Sequence, residues 1–234
     1  RAGAGQVSAD PQGFEVDGCN GAGCVAPPNA NAQSSGQADG LWNMNVFANF
    51  TLIGTGEGVT VPTAGGVGMV LRRGTGGHYI NGVLARWPRQ AISLRDSTSN
   101  NRFQVDSLIV RNLFLAQNGA LNSNANFDAA GTNFGQESAF TARNSNITVA
   151  AAGVTAAGLF TAFPASIDNA TAAAAFNWTP ATGSPIATGG LASFANDPRI
   201  AARAGTFVTP TAYRGAAAPG GPTWWAGWTA YARN

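Results

Sequence analysis

The residues that could carry out chemistry in this chain are few. Among 234 residues, 11 are Asp or Glu, one is His and two are Cys. Hydrolysis of a polysaccharide needs two carboxylates facing each other across a groove, and no cluster of acidic residues follows a strand face. A lyase needs a base of suitable pKa, usually helped by a cation held on carboxylates. The sequence therefore predicts no catalytic residue, no metal and no cofactor.

Arginine supplies all 13 basic residues. Four arginines could bind an acidic sugar: Arg72, Arg73, Arg95 and Arg111. We expect Asp17 and Asp96 to neutralise them on the sheet surface, and retain Arg72 and Arg95 as candidate contacts for a ligand or partner. The net charge of +2, without any Lys/Arg run, predicts no nucleic-acid partner.

The single histidine and the two cysteines have structural interpretations. His78 follows two glycines and has no nearby Cys, Ser or carboxylate, so it is predicted to be a surface turn residue rather than a catalytic base. Cys19 and Cys24 enclose a glycine-rich loop, which favours a local disulfide in an oxidising compartment. The alternative is half of a metal site, which needs two more soft ligands.

The aromatic residues near the C-terminus are the best candidates for a binding surface: Trp224, Trp225, Trp228 and Tyr231. Exposed aromatic rings can stack on sugar rings or anchor a partner protein. The alternative is a structural cap that covers apolar surface and unpaired strand edges. We expect the tail to run back along the fold, with at least two of the three Trp side chains buried.

Three segments predict neighbouring strands. In residues 14–18, 69–73 and 92–96 the first and third residues are apolar and the fourth is charged, so alternation places the apolar pair on one face and the charge on the other. Stacked in register, Phe14, Met69 and Ile92 form one interior column. Outside, the register predicts charge pairs between Asp17 and Arg72 and between Arg73 and Asp96. Turn-forming residues separate the segments, including a corner at 96–100.

A repeat of about 32 residues is marked by asparagine. Asn49, Asn81, Asn112 and Asn144 are each followed by an apolar stretch, and such a period is typical of repeat architectures. Strands and corners at this spacing predict an all-β fold, a right-handed parallel β-helix or solenoid with loop excursions. Coils are predicted over residues 1–205, and an irregular C-terminal tail packing on them over 206–234. Aligned asparagines would form a hydrogen-bonded ladder.

Several segments resemble a known family. They are residues 12–17, 66–75, 80–84, 91–96 and 182–187, together with an ending of Tyr-Arg-Gly-Ala at 213–216 and Trp-Trp-Ala-Gly-Trp-Thr at 224–229. These resemble secreted bacterial right-handed parallel β-helix proteins, mostly of unassigned function, and the ending is the most specific part. The resemblance implies a β-helix, an exported location and a longer precursor, and it brings no catalytic residues with it.

The sequence thus predicts an exported, non-catalytic structural or binding protein of the cell surface or extracellular space, with the periplasm as a further location. Partners would be other protein subunits, in a larger assembly or filament, or a surface polysaccharide. No run of 18 apolar residues occurs, so no membrane-spanning segment is expected. The alternative function is a polysaccharide-active, lyase-like β-helix whose site lies partly in a preceding N-terminal region.

Overall fold

The computed structural model describes residues 12–18, 43–54, 65–119, 126–163 and 175–227. Three short parallel sheets surround the main core, and an antiparallel pair, β11 (Phe160–Ala162) with β12 (Asn177–Pro180), lies beyond them. Sheet I contains, in order, β1 (Phe14–Asp17), β4 (Met69–Arg72) and β7 (Ile92–Leu94). Sheet II contains β2 (Val46–Ala48), β5 (Gly77–Ile80) and β8 (Leu108–Arg111). Sheet III contains β3 (Thr51–Ile53), β6 (Val83–Ala85), β9 (Phe114–Ala116) and β10 (Thr148–Val149).

Helices occupy the segments between and after the strands. In chain order they are α1 (Ser97–Gln104), α2 (Glu137–Ala142), α3 (Ala156–Leu159) and α4 (Pro198–Ala204), with a 3₁₀ helix at Pro185–Ala187. The segment 96–100, predicted to be a corner, is the start of α1. Asp96 is its N-cap, and the Asp96 carboxylate accepts the Ser99 N–H over 2.8 Å, which satisfies a backbone donor at the helix start.

The register of sheet I confirms the predicted interior columns. Phe14 lies opposite Met69, which lies opposite Ile92, and Leu71 lies opposite Leu94. These residues belong to a core that also takes inward side chains from sheets II and III, such as Tyr79 and Leu84. Alternation along each strand thus places one set of apolar side chains in the shared interior.

One of the two predicted charge pairs in sheet I is confirmed and the other is wrong. Arg72 Nε lies 2.6 Å from Asp17 Oδ1, as the register requires. The Arg73 guanidinium pairs with Asp17 as well, over 2.9 Å, and makes no pair with the Asp96 side chain. Asp96 instead accepts the backbone N–H of Arg73, because its carboxylate is already committed to the first turn of α1.

The predicted fold class, an all-β right-handed parallel β-helix, is wrong. The described residues form sheets of only two to four strands with helices among them, and no closed solenoid. The outer face of sheet II, at Ile80 and Ile109, is buried by Ile200 and Ala204 of α4. The outer face of sheet III is likewise buried by α3 and its surroundings. Strands covered on both faces belong to a layered arrangement of sheets and helices.

The asparagine repeat is right for three positions and wrong for the fourth. Asn49, Asn81 and Asn112 each follow a strand of sheet II, and all three have positive φ, between 55° and 57°. The N–H of Asn49 donates to Ile80 O and that of Asn81 to Arg111 O, so the three corners are stacked. Asn112 N–H donates to Ser145 O and Phe114 pairs with Thr148, which places Asn146 opposite Asn112. Asn144 lies two residues too early.

Candidate functional site

Arg72 and Arg95, the two arginines singled out by the sequence, lie in sheet I. Arg72 ends β4 and pairs with both Glu15 and Asp17. Arg95 continues the ladder beyond β7, since its N–H donates to Leu71 O over 3.0 Å, and its side chain is half-buried. The two residues are therefore neighbours in one row, and Arg72 is already neutralised by acidic side chains. Their role as ligand contacts stays a prediction.

Trp224 and Trp225 lie side by side with different exposures. Their rings are 5.6 Å apart in an edge-to-face arrangement. Trp225 is buried with 4% of its surface exposed, whereas Trp224 is 52% exposed. Trp224 Nε1 donates to Ala216 O over 2.9 Å, which ties the exposed ring to the preceding segment. Of this described pair, the Trp224 ring is half-exposed and the Trp225 ring is part of the packing.

Four of the predicted site residues lie outside the described residues: Cys19, Cys24, Trp228 and Tyr231. The predicted disulfide and the outer half of the aromatic cluster therefore stay predictions.

His78 is a buried strand residue, so the prediction of a surface turn is wrong. It lies in β5 with 1% of its surface exposed. Tyr79 points into the main core, so His78 points to the opposite face of sheet II, the face that α4 covers. Burial, together with the smaller effect of the positive charges of Arg203 and Arg199, lowers the pKa of His78 to about 4, against the opposing effect of Asp106.

The asparagine row, defined as Asn49, Asn81 and Asn112, holds the C-terminal segment, residues 189–216. Asn81 is fully buried and its Oδ1 accepts the Leu191 N–H over 2.6 Å. Asn49 Nδ2 donates to Thr209 O over 3.1 Å, and Asn112 Nδ2 donates to Gly189 O over 2.9 Å. Aligned asparagines were predicted to form a hydrogen-bonded ladder, and Asn81 Nδ2 does donate to Asn49 Oδ1 over 3.2 Å. The side chains of the row also hold a distant part of the chain in place.

The Tyr-Arg-Gly-Ala motif, residues 213–216, also helps to hold the C-terminal segment against the sheets. Arg214 is 5% exposed, its guanidinium lies over the Phe114 ring at 5.8 Å, and its Nε donates to Gly189 O. Burial lowers the pKa of Arg214. Gly215 has φ +98° and donates its N–H to Asn81 O over 2.7 Å. The most specific part of the sequence resemblance therefore has a structural use here.

A cleft of about 420 Å³ lies beside β8. It is lined by all of β8, by residues 142–145 at the end of α2, by Asp106 and by residues 197–199 at the start of α4. Asp106 pairs with Arg143 and Asp197 pairs with Arg111, so two ion pairs lie among the lining residues. A second cavity of about 370 Å³ shares Asn144 and Ser145 with it. The cleft can offer guanidinium groups, carboxylates and strand backbone to a ligand.

The described aspartates are engaged in holding the chain together. Asp128 is 5% exposed and accepts four hydrogen bonds, from the N–H groups of Leu94 and Gly135 and from the side chains of Gln90 and Asn133. Asp17, Asp96, Asp106 and Asp197 form the ion pairs and the helix cap given above. In the ranges that the structure covers, no three His, Cys, Asp or Glu side chains gather as a metal-binding group.

No helix in the described part of the chain is long and apolar enough to cross a bilayer. No family model, curated protein or solved structure matches this chain. The resemblance to secreted bacterial proteins accordingly stays a prediction.

The sequence singled out Arg111 but missed the other cleft residues. Arg143 pairs with Asp106 across 37 residues and Arg111 with Asp197 across 86, and no local pattern signals such pairs. The one available signal was Asp197-Pro198, which is typical of a helix start and would have placed α4.

Proposed function

We propose that this protein is an exported, non-catalytic binding or structural element that acts outside the cytoplasm by holding a partner macromolecule. The observation that carries the proposal is that its described aspartates are occupied by hydrogen bonds and ion pairs within the fold. Asp128 is saturated with four hydrogen bonds, and the other aspartates of the described sheets are tied to arginines or to a helix start. A general acid or base must be free to exchange a proton with a substrate, and these groups are occupied.

Two further features support a binding role. The cleft beside β8 is open and carries both signs of charge, and Trp224 presents a half-exposed ring next to a buried one. Open clefts with a few polar groups and exposed aromatic rings are typical of binding surfaces. The expectation of export rests on the resemblance of the chain's ending to secreted bacterial proteins.

Two measurements test the proposal together. The full-length protein should be found in the medium, at the cell surface or in the periplasm when the cells that produce it are fractionated. The purified protein, incubated with a panel of acidic and neutral polysaccharides, should release neither unsaturated nor reducing sugar ends. Retention in the cytoplasm would contradict the location, and release of unsaturated ends that is lost on heat denaturation would instead establish the lyase-like alternative.

A further inference from the structure

The three parallel sheets differ at the edge that their last strands form. In sheet III, β10 pairs with β9 and closes that edge. In sheet I, residues 126–135 cover β7, since Ile92 N–H donates to Asn126 O and Phe134 N–H donates to Leu94 O. In sheet II no described strand pairs with β8 on the side away from β5. The cleft adjoins β8, and Ser145 O accepts the N–H of Asn112, the residue that follows β8.

The backbone of β8 has N–H and C=O groups that point away from β5 and could pair with a further strand. Gly77 N–H donates to Ser107 O and Asn81 N–H donates to Arg111 O, which fixes the phase of the ladder between β5 and β8. In a parallel pair, alternate residues turn their N–H and C=O groups to opposite sides. Leu108 and Val110 therefore turn theirs toward the cleft. The cleft touches four consecutive residues of β8, as it must if it follows the strand's edge.

The side chains around the cleft select an occupant. Leu108 and Val110 point into the core, and Phe103 lines the cleft from the same side. Arg111 points outward, toward α4, where Arg199 also lines the cleft. Three arginines and two aspartates line it in all, an excess of one positive charge. The Nε atoms of Arg111 and Arg143 are buried and have no hydrogen-bond partner in the described part of the chain.

We propose that the cleft binds an extended peptide segment of a partner protein, which adds as a fourth strand of sheet II along β8. Main-chain bonds to Leu108 and Val110 hold the segment, as in other cases of strand addition. Its inward side chains are apolar and meet Phe103, and its outward side chains are acidic and meet Arg111 and Arg199. The proposal rests on the binding role proposed above and names the class of partner.

A labelled pentapeptide that alternates valine and glutamate, acetylated and amidated at its ends, is the probe. Its binding to the full-length protein is measured by fluorescence anisotropy. Two N-methylated versions are compared with it, one methylated on the glutamate amides and one on the second and third valine amides. In a strand paired on one edge only one of these sets of N–H groups faces β8. One version should bind at least about tenfold more weakly, while the other keeps its affinity within about twofold.

Charge reversal on the protein supplies a second measurement. Arg199→Glu should weaken binding of the glutamate peptide by about fivefold or more and strengthen binding of a lysine counterpart. Arg203→Glu, on the same helix but outside the cleft, is the matched control and should change either affinity by less than about twofold. Equal binding by both N-methylated peptides, or no binding by any of them, would overturn strand addition. Neither result would alter the location or the sugar-release measurements, so the two proposals fail separately.

Discussion

Asn81 Nδ2 donates to Asn49 Oδ1 over 3.2 Å, and the Thr211 hydroxyl donates to that same oxygen over 2.8 Å. Two consecutive corners of the fold are thereby joined to each other and to a residue 130 positions further along the chain. The left-handed conformation of the corners and the amide that fastens the C-terminal segment come from one residue type, because asparagine tolerates positive φ and carries both a donor and an acceptor.

Asn81 stabilises the fold through its side-chain hydrogen bonds and through its tolerance of positive φ, and two substitutions separate these effects. Asn81→Ala leaves the partly buried Leu191 N–H without its acceptor and puts a side chain that disfavours positive φ at φ 57°, so we expect a loss of about 3 kcal/mol in the free energy of unfolding. Asn81→Gly loses the same hydrogen bonds, but glycine tolerates positive φ. The loss in the free energy of unfolding should therefore be about 1 kcal/mol smaller than that of Asn81→Ala. Urea unfolding of both variants measures the difference. Equal losses would show that the corner carries no conformational requirement.

Gly215 is expected to be intolerant of a side chain. A Cβ there would lie 2.9 Å from Thr51 Oγ1 and 3.2 Å from Val83 Cγ2, at φ +98°. Gly215→Ala should therefore lower the free energy of unfolding by about 2 to 4 kcal/mol. Gly220→Ala is the matched control, because φ is +64° but nothing lies within 4 Å of its Cβ, and it should cost about 1 kcal/mol. Thermal unfolding that gave the two variants the same Tm would mean that residues 214–216 do not dock on β3 and β6.

His78 should make stability fall as the solution is acidified. Its pKa is lowered to about 4 in the folded protein, from 6.5, so between these values the unfolded chain binds more protons than the folded one. The contribution of neutral His78 is complete above pH 6.5 and is lost as the pH falls toward 4, with a total of about 3 kcal/mol.

The comparison that isolates this effect is with His78→Gln, measured by urea unfolding at several pH values between 4 and 7. The carboxylates titrate alike in both proteins, so the difference between the two free energies should shrink as the pH falls. A constant difference across this range would indicate that His78 is accessible to protons in the folded state.

The two described tryptophans of the tail should behave differently when truncated. Trp225→Ala removes a buried ring and should cost about 3 to 5 kcal/mol. Trp224→Ala removes a half-exposed ring and one hydrogen bond to Ala216 O, and about 1 kcal/mol is expected. Chemical unfolding of the single variants gives both numbers. A larger loss for Trp224 than for Trp225 would reverse the assignment of the buried ring.

Strand positions were predictable from the sequence, because they depend on local alternation. The match of Phe14 with Met69 and Ile92 follows from period two alone. The fold class was predicted wrongly, although the sequence contained a signal for covered sheets. Val83–Ala85 and Phe114–Ala116 are continuous apolar runs, which indicate strands buried on both faces and hence a covering layer.

The elements that decide the candidate site depend on distant partners. Whether His78 is exposed is decided by α4, some 120 residues away in the chain, and the cleft is lined by ion pairs between remote segments. At the fourth corner, Asn144 and Asn146 both have positive φ, at 51° and 49°, so conformation alone does not choose between them. The hydrogen bond from the Asn112 N–H to Ser145 O decides between them, because it places Asn146 opposite Asn112.

The central claim is that the aspartates of the described residues serve the fold rather than a reaction, and Asp128 tests it most directly. Asp128→Asn puts an NH₂ group in place of one carboxylate oxygen, within the same shape and with 5% exposure. That oxygen is either Oδ2, which accepts both the Leu94 and the Gly135 N–H, or Oδ1, which accepts the side-chain amides of Gln90 and Asn133. Measured by urea unfolding at neutral pH, the variant should be less stable by about 2 to 4 kcal/mol, since hydrogen bonds to a buried charged group are lost. A variant as stable as the natural protein, or more stable, would be the behaviour of a residue kept for activity at the expense of stability, and would contradict the claim.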